Sequence, residues 1–402
     1  MPSSNSIIRD IISKRLSKRR LFYVCRDIER ASGIDLSMNN YYIITNHSEL
    51  SAKLALQYPH IILIKEKEQL DTVNLLTHKQ TMVAINKKDY VLVFKNNTLI
   101  EKVCGKNDWK LLNPDSKLAD KIESKISQIE WLGKLAKYLP SYQINICKNI
   151  KWNKKPFILQ FNHSHTGSGT FFIDSEKKLN NLKLKFSKRD VRVLKFIKGP
   201  VFTNNNIVWG NKVLIGNISY QITGISPFTD NKFATIGNDW LLPNKILNTN
   251  QIKQYKKIAG EIGKKLIKDG WKGLYGVDVI VDDKTKRLYL LEINARQPAS
   301  TTCESQLQQK SEIRNPKSEF TTFEAHIAGL LDLLNKKYKL IPIHNGAQIV
   351  QRVGGQNREL EAPKDSSLIN TIKYKNKLPG SDLIRFQFNK GIMKRHNVLN
   401  RL

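Results

Sequence analysis

Two carboxylates and an amide are spaced along this chain as a metal site would need them. Asp278 lies in the run YGVDVIVD, Glu292 and Asn294 lie in RLYLLEIN, and DKTK stands between the runs. Alternating β-branched and aromatic residues predict two strands, and the short polar link predicts a hairpin. With Asp283 facing Arg287 across a three-residue loop, Asp278 falls directly opposite Glu292. Side chains alternate faces with period two, so Asn294 shares the face of Glu292 and has Gly276 opposite it. Val277, Val279, Val281, Leu291 and Ile293 then make the core face, and Ile280 and Leu290 flank the acids. Like charges directly opposite repel by about 0.2–1 kcal/mol even when solvated, and by more beside apolar residues. A cation relieves this. It is either Mg²⁺, which takes hard oxygen ligands and commonly one or two carboxylates plus substrate phosphates, or a lysine in a structural ion pair. An exposed hairpin face is the third reading, and strand pairing alone leaves the three level.

A second candidate is NHSHTGSGT, residues 162–170, between the apolar runs PFILQF and FFI. Its two glycines allow close backbone approach, and its Ser, Thr and amide groups offer donors to phosphate oxygens. It lacks the lysine of a Walker loop and the third glycine of a dinucleotide fingerprint, so alone it reads as an ordinary flexible hairpin. His163 and His165 have the spacing of a metal pair, but no third ligand accompanies them.

G-x-D followed after a turn by L-E-I-N-A-R resembles the metal-binding strand pair of the ATP-grasp enzymes, and of their carboxylate–amine ligases in particular. The glycine loop stands where that family folds a strand–loop–strand over nucleotide phosphates, and the likeness runs over roughly residues 20 to 335. The resemblance implies an α/β (α+β) architecture. An N-terminal pre-ATP-grasp lobe would occupy 1–112, a two-subdomain ATP-grasp domain with its nucleotide cleft between antiparallel sheets 113–338, and a basic strand-rich segment 339–402. It implies Asp278, Glu292 and Asn294 as ligands of one or two Mg²⁺ ions, with Mn²⁺ as a substitute. Arg296 would face the transferring phosphoryl group or a substrate carboxylate, either of which suits its planar fork. For ATP the resemblance implies Lys125 from SKISQIEWLGKLAKYLP, then Gln160, His165, Thr166, Gly167, Ser168, Gly169 and Thr170 before and within the loop. Lys195, Phe196 and Ile197 of VRVLKFIKG would hold the adenine through backbone groups. RQPAST resembles the segment that lines the acceptor site, and QITGI and GNDW resemble strands and loops near the second substrate.

Two departures stand out: Gln160 is where the family usually has a lysine, and no acidic residue is evident at the hinge near Lys195. The implied reaction is ATP-dependent, ADP-forming ligation, in which a small-molecule or peptide carboxylate becomes an acylphosphate and is captured by an amine, with Mg²⁺ orienting the phosphates. A kinase or carboxylase on the same scaffold is one alternative. A polyanion-binding protein with a non-catalytic ATP-grasp fold is another.

The elements around these residues follow from periodicity. LFYVC, YYIIT, IILIK, MVAIN and YVLVF read as strands, SELSAKLALQYP and EQLDTVNLLTHK as helices between them, and their alternation as a mostly parallel sheet. YVLVFKNNTLIEKV reads as a hairpin turning at Asn96–Asn97. SKLADKIESKISQIEWLGKLAKYL reads as one long helix ended by Pro140, and NQIKQYKKIAGEIGKKLIKDG as a helix ended by Gly270. With 402 residues the chain divides into two or three lobes. No apolar run approaches the ~20 residues of a membrane span, and the first residues do not read as a secretory signal. Four scattered cysteines fit a reducing, cytoplasmic setting. The net charge of +32 is spread along the whole chain, without a zinc finger or helix-turn-helix, so it reads as the lysine-rich composition of an ordinary enzyme, with non-specific affinity for nucleic acid and other polyanions as a by-product.

Overall fold

A computed structural model describes residues 7–17, 19–162, 169–311, 315, 318–334, 337–354 and 359–400. The first lobe is the parallel sheet that the alternation predicts. Strands β1 (Leu21–Cys25), β2 (Tyr41–Asn46), β3 (Ile61–Ile64), β4 (Tyr90–Val93) and β5 (Lys110–Leu111) run in the order β3-β2-β1-β4-β5, all parallel. Every residue of β1 is buried, Leu21, Tyr23 and Cys25 in one core and Phe22 and Val24 in another, as a sheet covered on both faces requires. The direction of strand addition reverses between β1 and β4, which opens a crevice beyond their carboxyl ends.

Two readings of this lobe are corrected. MVAIN is not a strand, because Met82 to Ala84 end the helix Lys79–Ala84. Asn96–Asn97 is not a hairpin turn. The Asn97 side chain accepts from the Ile100 amide and caps the helix Thr98–Lys106, while Asn96 bonds Glu101. The asparagines that suggested a turn are here a helix start, an equally good use of a short amide side chain.

A small antiparallel sheet follows: β6 (Tyr142–Ile146), β7 (Phe157–Phe161), β8 (Thr170–Ile173) and β9 (Asp190–Lys195), in the order β6-β9-β7-β8. One face packs Leu159, Phe161, Val191 and Val193 against Leu179 and Leu182 of the helix Glu176–Phe186. Residues 196–199 link this sheet to the next. Gly199 is required there, since a Cβ would collide with the Val281 carbonyl and φ is 155°.

The large sheet contains β10 (Val201–Trp209), β11 (Lys212–Leu214), β12 (Ser219–Thr223), β13 (Thr235–Asp239), β14 (Gly273–Val281) and β15 (Leu288–Asn294). The short pair β16 (Glu319–Phe320) and β17 (Lys339–Leu340) stands apart, and β18 (Ala347–Arg352), β19 (Leu368–Lys373) and β20 (Asp382–Phe388) rejoin the large sheet. Its order is β15-β14-β10-β12-β13-β18-β20-β19, with β11 beside β10. The helix Thr249–Lys268, capped by Asn248, buries Tyr255, Ile258, Ile262 and Leu266 beneath it and ends before Gly270 at φ 79°.

The strands after residue 340 therefore continue the sheet that carries the acids. Asp239 fastens this join, its carboxylate accepting from the amides of Leu241, Leu242, Ile392 and Met393. A chain ended at Leu340 would leave the β13 edge unpaired and half of the Asp239 bonds unmade. Such a truncation is expected to aggregate, and size-exclusion chromatography and a thermal melt of the shortened chain check this. Among the described residues no helix is long and apolar enough to cross a membrane, and the four cysteines are free and buried.

Candidate active site

The hairpin pairs Asp278 with Glu292 and Gly276 with Asn294, as alternation predicts, but reaches that register by another route. The turn is one residue longer than expected. Lys286, at φ 59°, donates to the Asp282 carbonyl, and Asp282 donates to the Arg287 carbonyl, so residues 283–286 form the loop. That loop sets Val279 opposite Leu290, and strict alternation would then turn Glu292 into the core. A β-bulge prevents it. Leu291 is left without a partner, and pairing resumes with Glu292 on Asp278. Leu290 consequently joins Val277, Val279, Val281 and Ile293 in the core, and Leu291 does not, a correction to the predicted core face. Gly276 makes room for Pro298 and Asn294, which would crowd a Cβ at 3.0 and 3.2 Å.

Around the acids the geometry is tight. Asp278 is 7% exposed, and its Oδ1 is buried with no hydrogen-bond partner among the described residues. Its Oδ2 accepts from Asn294 Nδ2 at 3.3 Å, and Asn294 Oδ1 accepts from Arg296 Nη2 at 2.9 Å. Burial lifts the Asp278 carboxyl to about 6, with Glu292 adding to the rise and Thr203, Asn294 and Arg296 opposing it. Glu292 keeps 41% side-chain exposure and meets Lys125 Nζ at 2.6 Å. Burial works upward on this carboxyl too, but Lys125, Arg296 and Arg192 outweigh it and hold it below the usual range. Arg296 is braced by Glu123 at 3.2 Å, and Glu123 also holds Lys95 at 2.6 Å.

Lys125 comes to this point because the predicted long helix is broken. Helices Ser116–Glu123 and Ser127–Leu132 are separated at Ser124, whose ψ is 131°. Asn162 fills the break, its carbonyl accepting from the Lys125 amide at 3.1 Å and its Oδ1 from the Ile126 amide at 2.9 Å. Backbone donors freed by the break are thus satisfied, and Lys125 leaves the helix line to reach Glu292. The ion pair with a lysine and the facing acid pair thus occur at one place.

The other wall is the face of the small sheet turned away from its helix. Gln160, Thr170 and Arg192 lie side by side there, paired across β7, β8 and β9. Gln160 donates to Thr170 Oγ1 at 3.2 Å and accepts from Arg192 Nε and Nη2 at 3.0 and 2.7 Å. Gly169 closes the base of the loop, its carbonyl accepting from the Phe161 amide. His165, Thr166, Gly167 and Ser168, along with His163, lie outside the described residues. At the hinge, Lys195 is exposed, Ile197 is buried, and Phe196 packs on Phe172 at 4.7 Å between centroids. The sequence reading missed Arg192, Gln128 and Glu123. The signal for Arg192 was its alternation with Val191 and Val193, which sets a charge on the face opposite a valine core.

Among the described residues no group of three or more His, Cys, Asp or Glu could hold a metal. The donor set on the hairpin is two acids and an amide, and the unpartnered Asp278 Oδ1 points to a missing positive partner. Such a set suits Mg²⁺, which keeps positions for phosphate oxygens and water.

No family model matches the sequence, and no curated protein matches it either. Solved structures match closely in shape. N5-carboxyaminoimidazole synthase from Aspergillus clavatus, in complex with ADP and 5-aminoimidazole ribonucleotide, superposes with a TM-score of 0.61 at 14% identity, over 93% of this chain and 94% of that one. L-amino acid ligase from Bacillus licheniformis gives 0.62 at 12%, over 93% and 94%. Biotin carboxylase from Campylobacter jejuni, as its β-γ-ATP complex, gives 0.61 at 13%, over 92% and 87%. The chain has the ATP-grasp fold. The acid hairpin forms one edge of its larger antiparallel sheet. The first lobe also approaches Arg296. Phe94, just past β4, lies under the Arg30 guanidinium at 4.8 Å and the Arg296 guanidinium at 5.8 Å, at the crevice beyond β1 and β4.

Proposed function

We propose that this protein is an ATP-dependent ligase of the ADP-forming kind, which activates a carboxylate as an acylphosphate and joins it to an amine. The observation that carries the reading is the acid pair Asp278–Glu292, held with Asn294, Arg296 and Lys125 where the two antiparallel sheets meet. Asp278, Glu292 and Asn294 would hold Mg²⁺, which when bound supplies charge neutralisation and orientation of the nucleotide phosphates. Lys125 is the cation nearest Glu292 and is placed to share its charge with phosphate oxygens. Arg296, braced by Glu123 and Asn294, offers a fixed fork to the transferring phosphoryl group or to the acid substrate. Burial of Asp278 excludes water from one side of the site, as an acylphosphate requires if it is to meet an amine before it meets solvent. Arg30, Arg296 and Phe94, at the crevice of the first lobe, suit an acidic, amino-acid-like substrate.

Release of ADP from Mg–ATP is measured against a panel of carboxylates, with hydroxylamine in place of the amine. Hydroxamate formed only with the true acid supports ligation. ADP release without hydroxamate turns the reading to a kinase that phosphorylates a hydroxyl. Lys125→Met removes the cation while keeping the stem, and is expected to raise the KM for ATP about tenfold, with a smaller change in kcat. Steady-state kinetics check the split, and an unchanged KM removes Lys125 from the nucleotide site.

A further inference from the structure

Arginines are rarely buried without a carboxylate, because the guanidinium cannot lose its charge and its desolvation must be offset. Among the described residues two arginines are buried, Arg192 and Arg385. Arg385 follows the rule, with Asp382 at 2.6 Å. Arg192 does not. Its side chain is 0% exposed, and its hydrogen bonds go to Gln160 Oε1 at 3.0 and 2.7 Å and to Gln128 Oε1 at 3.3 Å. Both partners are neutral amides, which fix the guanidinium without cancelling its charge. The adjoining loop residues, His163 to Ser168, contain no acid in sequence.

We propose that Arg192 is a fixed positive charge beneath the cleft and favours, through its field, the polyphosphate of a bound nucleoside di- or triphosphate. The inference rests on the nucleotide reading of the site given above. Arg192 shares its sheet face with Gln160 and Thr170, not with the valine core of β9. Its charge reaches Glu292, one of the acids of the hairpin, and burial pushes its guanidinium down to about 10. Gln160 stands where a lysine would present an ammonium, and it clamps Arg192 through two bonds instead. The positive charge is thereby delivered from β9, one strand over. Clamped in this way, the guanidinium holds its charge in one place, at less entropic cost on binding than a free lysine side chain.

The test is binding of Mg–ADP and of adenosine to the full chain, by calorimetry or displacement, in the wild type and in Arg192→Gln and Arg192→Lys. Arg192→Gln is expected to weaken ADP at least about tenfold, leave adenosine within twofold and flatten the salt dependence of ADP binding. Arg192→Lys is expected to recover part of the loss. Unchanged ADP affinity in Arg192→Gln overturns the assignment, and so does an equal loss of ADP and adenosine, which marks a merely structural residue. If Arg192→Gln does not fold, Gln160→Met is measured instead. It releases the clamp and keeps the charge, and a loss of ADP affinity of about threefold or more with adenosine binding intact supports the proposal, whereas unchanged ADP affinity overturns it. A wild type that binds neither ADP nor adenosine sinks the nucleotide reading along with this one. A wild type that binds ADP beside an indifferent Arg192→Gln sinks only the role of Arg192.

Discussion

Asp278→Asn is expected to make the metal-free protein more stable at neutral pH and to abolish its response to Mg–ATP. The Asp278 carboxyl titrates at about 6 in the folded chain, against about 3.9 when unfolded. Between those values the folded chain holds the additional proton, so this group makes stability fall as pH rises through the window. By pH 7 the full penalty is in place, about 1–3 kcal/mol, and it is relieved only as pH drops back through 6 and towards 4. Asparagine has nearly the same shape and no charge to desolvate, so the variant loses that penalty and melts a few degrees higher. It also loses the oxygen charge that a divalent cation requires. Melts at pH 5 and 7.5, with and without Mg–ATP, test both halves. A variant less stable than the wild type at pH 7.5 without ligand would make Asp278 a structural acid and remove it from the site.

The largest effect on stability is expected at Asp382. Three arginines converge on its carboxylate: Arg385 at 2.6 Å, Arg30 at 3.6 Å, and Arg352 in close contact. Burial alone would lift this carboxyl, but Arg352, Arg385 and Arg30 outweigh it and hold it well below the usual range. Tyr374 extends the network, accepting from Arg385 Nε and donating to Glu29. Asp382→Asn leaves these guanidinium groups without their central acid, and breaking such a buried set costs about 3–5 kcal/mol. The sign with pH is opposite to that of Asp278. A depressed carboxyl stabilises above its unfolded value near 3.9, and the contribution is lost only as pH falls through the lower folded value. Urea unfolding at pH 7 measures the cost. A loss under about 1 kcal/mol would show that the arginines find other partners.

Legibility in the sequence followed local cause. The hairpin was readable because alternation and a polar turn are short-range signals, and the acids fell opposite each other even though turn length and strand length each differed from expectation by one. The parallel lobe was readable from its alternating runs, apart from Met82 to Asn86 and Asn96–Asn97, where helix and turn chemistry use the same residues. The broken helix at Lys125 was not readable. Periodicity runs straight through it, and the break is made by Asn162, a distant residue that supplies two acceptors. The burial of Arg192 and Arg385 was not readable, since it depends on the partners the fold supplies: Gln160 and Gln128 for one, Asp382 and Tyr374 for the other.

The unpaired Leu291 bears on descent. A lineage that lost this single residue would straighten the strand and still leave the two acids face to face, one position closer together along the chain. A lineage that gained a residue elsewhere in the strand would turn the glutamate into the core. Within the strand, loss of this residue is tolerated and gain of another is not, so there the stretch leading to the glutamate is free to contract among descendants of this chain but not to grow. A search that fixes the present spacing would pass over cousins that keep the same facing pair.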